Sequence, residues 1–325
     1  MKMLIVNKKD AGQRIDKYIR KYLNNAPLSF IYKLFRKKDI KVNGKRVDIN
    51  YILNENDTIN IYINDDTLND FNTKKTISKS NNQLDIIYED EHLLIINKDA
   101  GVLVHEGEDN LKVNTLNNDI LYYLKQKGEY AENDMFTPSC VHRLDRNTSG
   151  IIIAAKTLSA SKQLLELFKT KNALTKEYIT LVNGNCKNEM TIDKPLLKNE
   201  KEKFVKVDKN GLEAITKYQK IINTDAYSLL KVNILTGRTH QIRVHMASIH
   251  HPVVNDDKYG NFALNKIFTS KYNYKFQILH SYKISFKELS GTLAYLSNKE
   301  FKAPLKKEEE RILNSIFPNI DLSSI

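Results

Sequence analysis

The stretch Val141-His142-Arg143-Leu144-Asp145-Arg146-Asn147-Thr148-Ser149-Gly150 sets one carboxylate among two guanidinium groups, directly ahead of the wholly apolar run Ile151 to Ala155. An apolar run of this kind reads as a buried strand, which forces the preceding loop to the rim of a core and lets a carboxylate be held rigidly there. The neighbouring cations favour the ionised form of Asp145, while burial opposes it. Such a group serves either as a salt bridge or as a nucleophile, and the local pattern leaves both open. No second carboxylate stands at nearby spacing within the stretch, which argues against two-carboxylate hydrolysis. Thr148, Ser149 and Gly150 shape a turn and lack the G-x-S-x-G context of a nucleophile elbow. Elsewhere, His240, His245 and the pair His250-His251 lack the i, i+4 spacing and the H-E-x-x-H pattern that would align metal ligands on a helix. His240, Gln241, Arg243 and His245 are expected to hold a loop or touch phosphate. The two cysteines, Cys140 and Cys186, have no paired spacing, so neither a zinc site nor a disulfide framework is expected.

The elements that must position these residues belong to a 325-residue chain with 41% hydrophobic and 28% charged residues, suited to one large domain with a smaller one beside it. Lys and Arg number 51 against 39 Asp and Glu, a formal charge of +12, which favours a polyanionic partner. The opening Met1-Lys2-Met3-Leu4-Ile5-Val6 is too short for a signal h-region, and no run is apolar enough to span a bilayer, so a cytosolic protein away from membranes is expected.

Residues 10–64 read as a small module. Ile15, Tyr18, Ile19, Tyr22 and Leu23 share one helical face, and a second helix is expected after Pro27 with Ser29 as its cap. That helix turns Ile31, Leu34 and Phe35 one way and Lys33, Arg36 and Lys37 the other. Lys41 to Val47 reads as a hairpin about Asn43-Gly44, carrying Lys41, Lys45 and Arg46. With eleven Lys/Arg against six Asp/Glu in the module, helix and hairpin cations can track one phosphate backbone, or simply form a solvated face. Residues 65–83 lack apolar periodicity and read as a flexible linker. From residue 84 onward, strands return by hairpins: Ile86 to Tyr88 with Leu93 to Ile96, and Ala214 to Ile222 with Tyr227 to Ile234. Helices are expected over Thr115 to Lys127, over Ser159 to Lys169 burying Leu164, Leu165 and Phe168, and over Thr239 to Ile249 with Ile242, Met246 and Ile249 inward. The large domain, 84–325, is therefore α+β with a mainly antiparallel mixed sheet.

The wording His142-Arg143-Leu144-Asp145 with Thr148-Ser149-Gly150, joined by Lys176-Glu177-Tyr178 and the run Leu235 to His245 (LTGRTHQIRVH), resembles the RluA/RluC/RluD family of pseudouridine synthases. AGQRID, IYKLFRKKDIKVNGKR and HPVVNDDKYG are also similar, so the resemblance runs over nearly the whole chain. It implies an S-four-type RNA-binding domain ahead of a pseudouridine synthase domain, acting without cofactor on uridines of large-subunit (23S) ribosomal RNA as a monomer. Asp145 would be the nucleophile that frees uracil to rotate and rejoin through C5. Arg238, otherwise readable as a surface cation, would be the ion-pair partner of Asp145. Tyr178, otherwise a packing residue at a strand start, would stack on the uracil and remove the C5 proton. Arg143 would enter the base stack where the uridine has flipped out, with His142, Leu144 and Lys176 around the substrate. The chain departs from the family at Asn255-Asp256-Asp257-Lys258-Tyr259-Gly260, where many members carry Gly-Asp, and at Glu288-Leu289, where His-Pro is usual after His280.

Other readings are weaker. A nuclease using His142 and Asp145 would need a metal cluster or a second acid, and a kinase would need a Gly-rich loop and Asp-Phe-Gly. A non-catalytic RNA-binding assembly factor is the remaining alternative, one that would be expected to lack Asp145, Tyr178 or Arg238.

Overall fold

The computed structural model describes residues 1–72, 77–80, 82–106, 114–132, 134–170, 173–199 and 204–322. The amino-terminal module contains β1 (Lys2–Ile5), α1 (Ile15–Tyr22), α2 (Leu28–Lys37), β2 (Ile40–Val42), β3 (Lys45–Arg46) and β4 (Thr58–Ile61), its sheet ordered β1-β4-β2-β3. The helical face read from the sequence is the buried one: Ile15, Ile19 and Leu23 pack with Ile31, Leu34, Ile59 and Ile61. Asn43 and Gly44 both adopt positive φ, 50° and 75°, the left-handed pair that lets a two-residue turn match the strand twist. Two expectations are corrected here. α2 starts at Leu28 with Pro27 in the cap position, so Ser29 lies inside the first turn. The segment read as a linker opens with α3 (Asp65–Phe71), capped by Asn64 accepting from the Thr67 amide. Its Leu68 and Phe71 pack on the module core, a contact too sparse to show as periodicity. Residues 73–76 and 81 of that segment lie outside the described residues.

The remainder builds on β5 (Ile86–Glu89), β6 (Leu93–Lys98), α4 (Leu116–Gln126), β7 (Ser139–Cys140), β8 (Ser149–Ala155), α5 (Leu158–Lys169), β9 (Leu174–Asn183), β10 (Glu189–Asp193), β11 (Leu196–Asn199), β12 (Phe204–Val207), β13 (Ile215–Asn223) and β14 (Tyr227–Ile234). It closes with α6 (Gln241–Ala247), α7 (Phe262–Tyr272), β15 (Leu279–Phe286), β16 (Glu300–Lys302) and α8 (Lys307–Ile316). One ten-stranded sheet runs β10-β13-β14-β9-β15-β8-β6-β5, with β16 on β15 and β7 on β8. Its named pairs are antiparallel except β8 with β15, so the expected α+β sheet is the observed one. β8 is buried along its whole length, as its run of Ile and Ala requires. In α5, Leu164 is buried, Phe168 is partly so and Leu165 faces out.

The parallel seam depends on one glycine. Gly150 has φ 101°, and a Cβ there would lie 2.3 Å from the Ser281 carbonyl oxygen. Only a residue without a side chain lets β8 come this close to β15. The same seam is locked by buried polar groups: Ser149 Oγ donates to Glu309 Oε1 of α8 at 2.6 Å and meets His280 Nδ1 at 2.8 Å.

A charge network ties the far edge of the sheet. Glu89 meets Lys127 at 2.8 Å and Lys156 at 2.9 Å, and Glu129 shares both lysines. Burial alone would raise the Glu89 carboxyl, but hydrogen bonds from Lys127, Lys156 and Tyr123 outweigh it and hold it at about 2. Its folded value lies below its ordinary one, so this stabilisation is complete above about pH 4.5 and disappears as pH falls toward 2. Glu89→Gln is expected to cost about 2 kcal/mol at neutral pH, the scale of charge-assisted hydrogen bonds. Urea unfolding at several pH values should show the gap from the parent chain closing as pH drops below about 4.5.

Candidate active site

Asp145 sits in the loop that feeds β8, and three contacts hold that loop. Lys98, only 2% exposed at the end of β6, donates its Nζ to the carbonyls of Asp99, Val102 and Arg146. The Gly101 amide also donates to the Arg146 carbonyl at 2.8 Å, and Thr148 Oγ1 accepts from buried Gln277 at 2.7 Å. Burial pulls the Lys98 ammonium down to about 7, against the pull of Asp99 and Asp145. Three carbonyl acceptors thus converge on a cation that has no competing solvent. The Asp145 backbone is thereby set by both the sheet and the turn behind it.

The carboxylate of Asp145 is paired with Arg243, whose Nη1 donates to Oδ2 at 2.9 Å. Arg243 is 4% exposed and serves two further carboxylates. Its Nε and Nη2 grip the two oxygens of fully buried Asp256 at 2.7 and 2.8 Å, and Nη2 reaches Asp257 at 3.0 Å. Burial alone would raise the Asp256 carboxyl, yet Arg243 holds it below the usual carboxylate range. A bidentate fork on one side leaves the remaining nitrogen aimed at Asp145 on the other. His240 Nε2 lies 3.9 Å from Asp145, while its Nδ1 meets the Tyr259 hydroxyl at 2.8 Å.

This arrangement corrects the expectation for Arg238. Arg238 lines the same cavity but is exposed, and its Nε donates to the Glu213 carbonyl at 2.9 Å. Its amide is received by Gln241 Oε1, which also takes the Thr236 hydroxyl, so Gln241 holds the turn before α6. The partner of Asp145 is Arg243, in the first turn of α6. A signal for it exists in the sequence: Arg243 lies three residues before inward Met246 and next to inward Ile242, and an arginine near a buried stripe needs an acid. The acids Asp256 and Asp257 lie in the stretch Asn255 to Gly260 noted above. His245, fully buried between Thr216 and the Lys194 carbonyl, is structural.

A cavity of about 160 Å³ opens over Asp145, lined by Arg143, Leu144, Tyr178, Ile234, Arg238 and Arg243 among others. Tyr178 comes from β9 opposite Ser281 of β15 and is 9% exposed. Burial pushes its hydroxyl up to about 12, with a hydrogen bond to Ser281 pulling the other way. Arg143 is exposed at the cavity and Leu144 is buried in its wall. His142 and Lys176 are not among the lining residues. His142 Nε2 accepts the Ile153 amide at 3.0 Å, and its ring stacks on Phe168 at 4.4 Å. Burial holds that imidazole down at about 3, so it is a neutral acceptor supporting β8. Lys176 Nζ lies 6.0 Å over the same Phe168 ring, its ammonium lowered by burial. On the amino-terminal module, Lys33, Arg36, Lys37, Lys45 and Arg46 are exposed, and Lys41 is half-buried with its Nζ 5.1 Å over Tyr62.

A lone carboxylate, fixed by a buried guanidinium and facing a cavity with an aromatic wall, can attack an electrophilic carbon of a planar heterocyclic substrate. No group of His, Cys, Asp and Glu suited to a metal ion occurs among the described residues. No helix among them is long and apolar enough to cross a membrane.

Comparison with known proteins identifies the family. The model of the RNA pseudouridylate synthase family matches residues 92–248, and that of the S4 domain matches residues 13–59. The ribosomal large subunit pseudouridine synthase C of Vibrio vulnificus is 34% identical over 310 residues, covering 94% of this chain and 93% of its own. An uncharacterized RNA pseudouridine synthase of Mycoplasma capricolum is 35% identical over 313 residues, covering 92% and 96%. Among solved structures, human RNA pseudouridylate synthase domain containing 4 shares the fold, with a TM-score of 0.56 at 22% identity over 71% of this chain and 92% of its own. Full-length identity at this level, with Asp145 and its fixed guanidinium partner in one cavity, means that the chain belongs to the RNA pseudouridylate synthase family.

Proposed function

We propose that the chain converts uridine to pseudouridine in large-subunit (23S) ribosomal RNA, with Asp145 as nucleophile and Arg243 as the group that keeps it ionised and aimed. The observation that carries this reading is the convergence of Asp145, Tyr178 and Arg243 on one cavity. A target uridine flips out of its stack into that cavity, and exposed Arg143 takes up part of the stack it leaves. Attack by the Asp145 carboxylate allows the bond from ribose C1′ to uracil N1 to break. The uracil turns against the Tyr178 ring, a bond forms from C1′ to C5 as the bond to Asp145 breaks and frees the carboxylate, the C5 proton leaves and N1 gains one. Atoms and electrons balance within the nucleoside, so the step calls for no oxidant, reductant or cofactor. The relatives named for large-subunit RNA and the S4 match support ribosomal RNA as substrate. The module at 10–64 then adds phosphate contacts through Lys33, Arg36, Lys37, Lys41, Lys45 and Arg46. A cytosolic monomer is the working form this reading implies.

The direct test incubates the purified chain with unmodified 23S RNA and maps carbodiimide adducts by primer extension. New stops at discrete uridines are expected; none, with RNA bound, would favour the non-catalytic assembly factor. Tyr178→Phe separates the two jobs of that ring. Stacking is kept and the hydroxyl is lost, so RNA affinity should hold while turnover falls by about 10²-fold or more, the range for a removed general base. Equal turnover would leave Tyr178 as a packing residue only.

A further inference from the structure

Outside the cavity, the least explained surface is α7. From Lys258 to His280 the chain has four lysines, Lys258, Lys266, Lys271 and Lys275, and no Asp or Glu. α7 is anchored firmly, with Phe268 and Tyr272 buried among Ile179, Leu181, Leu229 and Val254. Elsewhere on its surface Phe262 is 64%, Ile267 63% and Leu264 40% exposed. Phe262 and Lys266, both exposed and four residues apart, share one side of this helix, which carries two lysines and no acid.

The position of this side gives it meaning. Asn265 receives the Asn255 amide and donates to the Asp256 carbonyl, and Thr269 donates to Asn255. Those contacts hold the turn whose Asp256 and Asp257 fix Arg243. Phe262, Asn265, Lys266 and Thr269 follow i, i+3, i+4, i+7, so Phe262 and Lys266 share the helix stripe that grips the catalytic turn. Gly260, just ahead of the helix, is closed by Asp256 and Asn265, with the Asp256 carbonyl oxygen only 2.3 Å from where a Cβ would lie. The approach to α7 is therefore tight.

We propose that the Phe262–Lys266 face of α7 is a docking site for single-stranded RNA flanking the target uridine, with a base stacked on Phe262 and phosphate on Lys266. The proposal rests on the reading of the chain as an RNA-acting enzyme. Flipping one nucleotide out exposes the faces of its neighbours, and an exposed aromatic ring beside lysines receives such a base without regard to its identity. A protein partner would need a carboxylate to meet Lys266, whereas a nucleotide supplies an anion and a planar ring together. The charge balance favours a polyanion with planar groups.

The probe is a labelled single-stranded oligouridylate, titrated with the full chain by fluorescence anisotropy at several salt concentrations. Phe262→Ala is expected to weaken binding by about 5- to 100-fold, the range for one lost stacked base. Phe262→Trp should bind within about twofold of the parent, and Phe262→Leu should fall with alanine, because stacking rather than apolar area is at stake. Lys266→Ala should lower the salt slope by about 0.7, one single-strand phosphate contact, while Phe262→Ala leaves the slope unchanged. Phe262 is solvent-exposed, so melting temperatures should stay the same and confirm intact folding. Parent-like binding by Phe262→Ala overturns the proposal, as does a loss seen only in self-association by sedimentation. If the parent chain modifies 23S RNA yet Phe262→Ala matches it throughout, the α7 site alone fails. If the parent neither binds the probe nor forms pseudouridine, the functional reading fails with it.

Discussion

Asp145→Asn is expected to fold as the parent chain, bind RNA as the parent chain and form pseudouridine at least roughly 10³-fold more slowly, on the scale seen when a covalent nucleophile is removed. The amide has the shape of the carboxylate and keeps an oxygen for Arg243 Nη1, now 2.9 Å away. Arg243 stays in place without the charge, because Asp256 alone holds two of its nitrogens. What disappears is the negative charge and the nucleophilic lone pairs, and among the described residues no other carboxylate lines the cavity to replace them. The measurement is a single-turnover assay on 23S RNA beside a melting curve and a binding isotherm. Activity above a tenth of the parent would remove Asp145 from the nucleophile's role.

The second large effect is expected at Arg243, and its contrast with Arg238 is the informative part. Arg243→Lys replaces a planar fork by one ammonium, which cannot hold both oxygens of Asp256 while reaching Asp145 on the other side. Misplacement of the nucleophile by about 1 Å costs about 10²-fold, so a loss of that size or more is expected in kcat/KM. Arg243→Met goes further and leaves Asp256, fully buried, without a counter-charge, at a cost of about 3–5 kcal/mol and a matching fall in Tm. Arg238→Lys gives up one exposed bond to the Glu213 carbonyl and should stay within about tenfold, the loss of a bond worth about 1 kcal/mol. Should the lysine variant at 238 prove the more damaged of the two, the ion pair drawn here is not the one the reaction uses.

Much of this protein was legible in the amino-acid sequence because it rests on local rules. The apolar run after Gly150 forces a buried strand, and the loop before it must then present Asp145. The Asn43-Gly44 turn, the amphipathic α1 and the hairpins of the large sheet follow from side-chain periods of two and 3.6 and from residues that accept positive φ. The motif wording placed Asp145 and Tyr178, and both line the cavity. Sequence periodicity missed α3, because a seven-residue helix with two half-buried apolar residues leaves almost no pattern.

The choice between Arg238 and Arg243 needed the tertiary structure. They lie five residues apart, and either could pair with an acid. The helix turn at α6 buries one and exposes the other. Gln241 ties Arg238 to the turn, while Asp256 and Asp257, arriving from the next loop, leave Arg243 one nitrogen free for Asp145. The roles of His142 and Lys98 were settled in the same way, by which backbone groups lay opposite their nitrogens. A charged side chain in a low-dielectric site is defined by the partners that meet it there. Those partners come from segments far apart in sequence, and only the packed sheet brings them together.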